Sequence, residues 1–169
     1  ITNEYLITYE NGNISTITYD YFEDNIDDFS YSFTFSGNTI TRTEASSNIS
    51  SVFTLDGAGR VIQKESFDGD LSIQNEIVTY NSNGIFMGSE VTGELEQSTT
   101  YAFDTNTNPL KVIYSDNYLL NFLRDEYSDE IGQPIAQLLS TNNWNGATFN
   151  GESFTFNLTY NSAGRIETR

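Results

Sequence analysis

Carboxylates and one indole are the side chains through which this sequence could do chemistry. Two acidic runs stand out, Glu23-Asp24-Asn25-Ile26-Asp27-Asp28 and Asp68-Gly69-Asp70. Clustered carboxylates suit a hard cation, calcium above all, and Asp24, Asp27 and Asp28 are the calcium candidates. Neither run has the spacing of an EF-hand loop or a calcium-binding β-roll, so the competing reading is a solvated acidic loop. No other cofactor is expected. Trp144, the single tryptophan, sits among turn residues in Asn142-Asn143-Trp144-Asn145-Gly146. On a β scaffold it is either a sugar-stacking platform, which makes it the candidate ligand-binding residue, or part of the core.

The residue types that are missing narrow the chemistry further. There is no His and no Cys, which removes Ser–His–Asp triads, thiol nucleophiles, disulfides and the usual zinc sites. No Gly-rich loop opens a helix in the manner of a phosphate-binding motif. Glycoside hydrolysis by two carboxylates survives, because it needs only Asp and Glu. With 24 acidic residues against 7 basic ones and a formal charge of -17, phosphate-neutralising contacts are unavailable and nucleic acid is excluded as a partner. An anionic membrane surface is disfavoured on the same ground, and no apolar run approaches a transmembrane helix.

The elements that must carry these residues repeat. Six segments share an alternating stretch that ends in an aromatic or Leu anchor, a polar turn, and an apolar restart. The anchors Tyr9, Phe35, Leu55, Tyr80 and Phe103 are about 20–26 residues apart, and Tyr160 follows after about two such periods. Thr precedes the anchor at Thr8, Thr34, Thr54, Thr79 and Thr159. Tyr31, Phe33 and Phe35 alternate with Ser32 and Thr34, while Phe154, Phe156, Leu158 and Tyr160 alternate with Thr155, Asn157 and Thr159. That period of two marks half-buried antiparallel strands with aromatics inward and Thr outward. The pairs Asn11-Gly12, Asp56-Gly57, Asn83-Gly84 and Ala163-Gly164 supply the turns. The chain restarts at Ile14, Ile40, Val61, Ile85, Leu110 and Ile166. On this reading the anchors are core residues.

The segments Thr159-Tyr160-Asn161-Ser162-Ala163-Gly164-Arg165-Ile166 and Leu55-Asp56-Gly57-Ala58-Gly59-Arg60-Val61 resemble the tyrosine–aspartate (YD) repeat. The unit Phe103-Asp104…Asn108-Pro109-Leu110 looks like the variant, with Asn-Pro in place of Gly-Arg, of YD-like exported lipoproteins of Bacteroidota. The chain departs from that pattern at Ser36 and Asn81, where Asp is expected. The resemblance implies a β-rich, exported protein, and it brings no catalytic residue with it.

Between Ile113 and Trp144 the repeat lapses. Apolar residues at 119, 120, 122 and 123 fit a helix, and Gly132-Gln133-Pro134 opens a second short one. The expected fold is therefore a single all-β domain over residues 1–169. It is an antiparallel meander of about 10–12 short strands in repeated hairpins, forming a curved or partly closed sheet, with a helical insert at about 114–144. The expected function is non-catalytic, binding or structural, at the outer-membrane surface or in the periplasm, with a glycan or a protein as partner. A start at Ile1 rather than Met fits a signal peptide or lipid anchor upstream. A carboxylate-based glycan hydrolase and a fragment of a larger YD-repeat shell are the alternatives.

Overall fold

Eleven antiparallel strands make one sheet in unbroken sequence order. In this computed structural model residues 4–20 and 29–168 are described. The strands are β1 (Glu4–Glu10), β2 (Asn13–Asp20), β3 (Phe29–Ser36), β4 (Thr39–Glu44), β5 (Ile49–Leu55) and β6 (Val61–Asp68). They continue with β7 (Leu71–Tyr80), β8 (Phe86–Gly93), β9 (Gln97–Thr107), β10 (Asn142–Phe149) and β11 (Glu152–Thr155). A separate pair, β12 (Thr159–Tyr160) and β13 (Ile166–Thr168), follows. Among the described residues β1 pairs only with β2, and β11 only with β10.

The meander follows from turn chemistry. Asn11 and Gly12 both take positive φ, 51° and 85°, as a two-residue hairpin requires, and they join Glu10 to its partner Asn13. Three later turns share a second design. In each, an Asx side chain accepts from the backbone N–H two and four residues on: Asp56 from Ala58 and Arg60, Asn81 from Asn83 and Ile85, Asn161 from Ala163 and Arg165. The positive φ in the first of these falls at Gly59, not at Gly57.

Three expectations about the repeat need correction. Five units form hairpins, but the fifth in sequence does not. There Asn108 caps a helix, α1 (Pro109–Ser115), and Leu110 lies inside it. Pro at the first helical position fits because its missing N–H would have no partner there. The alternating stretch 154–160 is likewise split, β11 ending at Thr155 and β12 starting at Thr159. Nor are the anchors the core: Phe35, Leu55, Tyr80, Phe103 and Tyr160 are half-buried, and Tyr9 is exposed. Residues soon after four of the turns are buried, Ile14, Ile40, Val61 and Phe86, whereas the expected restarts Ile85 and Ile166 are exposed. Of the Thr residues before the anchors, Thr8, Thr34, Thr79 and Thr159 are exposed and Thr54 is half-buried, and Thr8 pairs with the Thr16 hydroxyl at 2.6 Å.

The helical insert occupies the stretch between β9 and β10. It holds α1, α2 (Leu120–Leu123), α3 (Gly132–Pro134) and a π-helical turn at Ile135–Leu139. No described helix is long and apolar enough to cross a membrane. The chain divides into two compact units, Ile1–Asn75 with Leu123–Ser128, and Glu76–Phe122 with Asp129–Arg169. The first has its core at Ile17, Tyr31, Ile40, Phe53, Val61 and Leu123. The second centres on Val78, Phe86, Val91, Phe122, Ile131, Ile135 and Ala136.

Candidate functional site

In the second unit, β10 leaves the helical insert and carries Trp144 past β9. The pairing slips on both sides of this residue, with Asn142 opposite Thr107, Trp144 opposite Phe103 and Gly146 opposite Ala102. Such irregularities re-aim a side chain. Here the indole is half-buried and packs edge-on against Tyr101, Phe154 and Phe156, with ring centroids 6.2, 6.1 and 5.2 Å away. Its Nε1–H donates to the Gly146 carbonyl at 2.6 Å. Gly146 has to be glycine, because a Cβ there would lie 2.7 Å from the Phe154 carbonyl oxygen.

Beside Trp144 lies a small cleft of about 100 Å³, open to solvent and lined chiefly by Pro109, Leu110, Gln137, Asn143, Leu158 and Ile166. Its walls are tied together by amides. The buried Asn108 accepts from Leu110 N–H through Oδ1 and donates to the carbonyls of Gln137 (3.0 Å) and Ser140 (3.2 Å). One side chain thus fixes both the start of α1 and the end of the π-helical turn. Asn143 Nδ2 donates to the carbonyls of Asn106 and Thr107 and to the Tyr160 hydroxyl.

Asp104 completes this network. It accepts from the Tyr160 hydroxyl, from the backbone and side-chain amides of Asn106, and from the Asn143 backbone N–H. Burial opposes its charge, but the hydrogen bonds, that from Tyr160 foremost, outweigh it and hold the carboxyl below its ordinary range. Burial, then the bond to Asp104 and its charge, push the Tyr160 phenol up. The two shifts favour an ionised carboxylate beside a neutral phenol, the pairing in which the hydroxyl donates to the carboxylate.

The sequence reading missed a second set of polar groups, those buried on the sheet. In the first unit, Arg42 and Lys64 are each only 2% exposed. Arg42 donates to the Asp125 carbonyl, Lys64 Nζ to that of Glu126 (2.8 Å), Ser66 to that of Tyr127 (2.9 Å) and Gln74 to that of Ser128 (3.2 Å). Four successive carbonyls are thereby satisfied by side chains from β4, β6 and β7, as buried backbone demands. Arg42 also lies 4.7 Å from the Tyr31 ring centroid, and Lys64 lies 6.0 Å from that of Phe53.

In the second unit Glu76, 1% exposed, accepts from the backbone N–H of Ile131 (2.5 Å) and Gly132 (2.9 Å) at the start of α3. Burial is the largest influence on this carboxyl and raises its pKa. The two N–H groups and the facing Ser89 hydroxyl pull the other way, and the charge of Glu130 adds to the rise. The Ser89 hydroxyl is buried without the alignment of a full hydrogen bond. Glu130 accepts from Gln97 at 2.7 Å, and burial pushes the Tyr101 phenol far up. The one available signal was a charged residue at an inward parity, such as Arg42 two positions after Ile40.

The calcium candidates Asp24, Asp27 and Asp28 lie outside the described residues. Asp68, the last residue of β6, and Asp70, in the turn that follows, are exposed. Among the described residues no three acidic side chains gather as a metal site would need. Trp144 falls on a strand beside the insert and at the cleft, next to Asn143.

No family model and no curated protein matches this chain. Among solved structures, a porin-like protein from Bacteroides uniformis is similar, with 11% identity and a TM-score of 0.43, over 96% of this chain and 78% of that one.

Proposed function

We propose that this protein is a non-catalytic, exported binding module whose ligand seat is the cleft beside Trp144, and that the ligand is a glycan. One observation carries the reading: the cleft is pre-formed. Asn108, Asn143, Asp104 and Tyr160 spend their hydrogen bonds on one another and on the backbone, so the walls keep their shape without a ligand. An indole, aliphatic side chains at Leu110, Leu158 and Ile166, and the amide of Gln137 offer the mixture of C–H contact and polar contact that a sugar takes. Export rests on the YD-like segments ending at Val61 and Ile166, and a complete reading frame encoding no signal peptide would overturn it.

A thermal-shift screen of the whole protein against oligosaccharides, peptides and divalent cations tests the ligand class, with Trp144 fluorescence as a second readout. The expected result is a shift with one glycan that Ile166→Arg, at the exposed rim, abolishes without lowering the melting temperature of the free protein. A shift with peptides alone, or one that Ile166→Arg leaves intact, would count against the cleft.

A further inference from the structure

We infer that the first unit holds a binding site of its own, a cavity that takes an organic cation with an alkylammonium group. The site is independent of the cleft beside Trp144, which belongs to the second unit. The cavity has a volume of about 190 Å³, nearly twice that of the cleft, and opens to solvent.

Alternation along the sheet builds it. Phe29 and Tyr31 stand two apart on β3, and Arg42 and Glu44 two apart on β4, so each pair shares a face. Tyr31 and Glu44 are direct partners across the two strands. Over this face Lys64 and Ser66 hold the backbone carbonyls of Glu126 and Tyr127. Tyr31 and Arg42, 4% and 2% exposed, are the floor of the cavity. Phe29, Glu44 and Tyr127 are half-buried walls, and Glu126 is exposed at the rim.

Charge decides what the cavity takes. Its lining brings one guanidinium and two carboxylates, which leaves it net negative. The guanidinium lies deepest, donating to the Asp125 carbonyl and to Ser51 Oγ (3.0 Å) and resting 4.7 Å from the Tyr31 ring centroid. An anion would have to pass Glu126 and Glu44 to reach it, within the field of a chain at -17. A cation meets the carboxylates first. Among the described residues only Ser47 bonds the Glu44 side chain, donating to Oε2 at 2.9 Å, so Oε1 can accept from an ammonium. The rings of Phe29 and Tyr127 suit both the alkyl body and the charge of such a ligand. Size limits the ligand to one such group, since a cavity of about 150 Å³ holds a single benzene.

The test titrates the isotope-labelled whole protein by NMR with n-pentylammonium, n-pentanol and hexanoate, which share an apolar chain and differ in charge. The ammonium is expected to bind at least about tenfold more tightly than either of the others, because a charge pair near a protein surface is worth more than one tenfold step. Shifts should centre on residues 29–31, 44–49 and 126–127. Glu44→Gln keeps an acceptor for Ser47 and should melt with wild type, yet weaken binding of the ammonium by about tenfold. Nα-acetyl-lysine methylamide, run beside n-pentylammonium, names the source of the cation. Tighter binding of the lysine derivative supports a protein side chain, and tighter binding of the amine supports a free ligand. Equal affinity for pentanol, preference for hexanoate, an affinity unchanged in Glu44→Gln, or shifts confined to residues 76–122 and 129–169 would each overturn the inference.

Discussion

The hydroxyl of Tyr160 donates to the carboxylate of Asp104, and Asn143 donates to both residues, through its side chain to the hydroxyl and through its backbone to the carboxylate. The aromatic anchor of the last repeat thereby meets the Asp of a repeat 56 residues earlier. The bond that defines this corner is therefore made between units, where the pattern of a single unit gives no hint of it. Tyr160→Phe removes one of three acceptors of the Asn143 side-chain amide, which keeps the Asn106 and Thr107 carbonyls, and removes the strongest support for the Asp104 charge. A loss of about 1 kcal/mol is expected, because both partners keep contact with solvent. The sign of the pH effect follows from the depressed pKa. Asp104 contributes stability above its unfolded value near 3.8 and loses it as pH falls through the lower folded value. Urea unfolding at pH 7 and at pH 3 should show the gap between wild type and Tyr160→Phe narrowing in acid.

The three Asx turns make a sharper test, because they explain an apparent departure from the YD pattern. The turn needs a side-chain oxygen that accepts two backbone N–H groups, and Asn81 and Asn161 supply it as well as Asp56 does. Only Asp56 adds an ion pair, with Arg60 at 2.6 Å. Asp56→Asn should therefore cost less than about 1 kcal/mol, the worth of an exposed pair. Asp56→Ala, which strands two N–H groups, should cost about 1–2 kcal/mol. Chemical denaturation of the two variants separates these values.

These turns were legible because their chemistry is local: the acceptor and its donors lie within five residues, and the flanking strands alternate with period two. The same locality misled at Asn108-Pro109. The pair reads as a turn, yet Asn108 caps α1 and reaches carbonyls about 30 residues away, at Gln137 and Ser140. The buried charges were illegible for a related reason. Arg42, Lys64 and Glu76 occupy inward positions because a segment 55 to 83 residues further on presents backbone groups to them. Alternation reports which side of a strand is covered, not that the cover is polar backbone. Trp144 was flagged by its rarity, but the aromatic neighbours that orient it depend on the slipped pairing of β9 and β10.

Glu76 should make the second unit more stable as pH falls, the reverse of Asp104. Its folded pKa is raised, so the folded state holds the proton more tightly than the unfolded chain does. The resulting gain is complete below the unfolded value near 4.5 and disappears as pH rises through the raised folded value. Protonation elsewhere also relieves the repulsion of a chain at -17, so the informative quantity is the difference between wild type and Glu76→Gln. That difference should vary with pH between the two values and level off above them. Melting curves at half-unit steps of pH, together with hydrogen exchange at Ile131 and Gly132, provide the measurement. A pH-independent difference would mean that Glu76 does not titrate there.

Gly132 is the residue that lets Glu76 reach the backbone. A Cβ at this position would lie 2.4 Å from the Ser89 hydroxyl and 2.9 Å from Glu76 Oε1, both atoms of buried side chains. Gly132→Ala must push one of them aside, and overpacking of this kind costs about 1–3 kcal/mol. The two neighbours differ in how readily they give way. Glu76 is held by two backbone N–H groups, whereas the Ser89 hydroxyl makes no aligned hydrogen bond. Ser89→Ala alone is therefore expected to be nearly neutral, within about 0.5 kcal/mol. Combined with Gly132→Ala it should recover part of the loss, since removing the hydroxyl leaves the Ser89 Cβ position, 3.0 Å away, as the next contact on that side. A double-mutant cycle should give a favourable coupling of about 0.5–2 kcal/mol. Strict additivity would instead place the strain at Glu76, and hydrogen exchange at Ile131 would then rise in Gly132→Ala whether or not Ser89 is present.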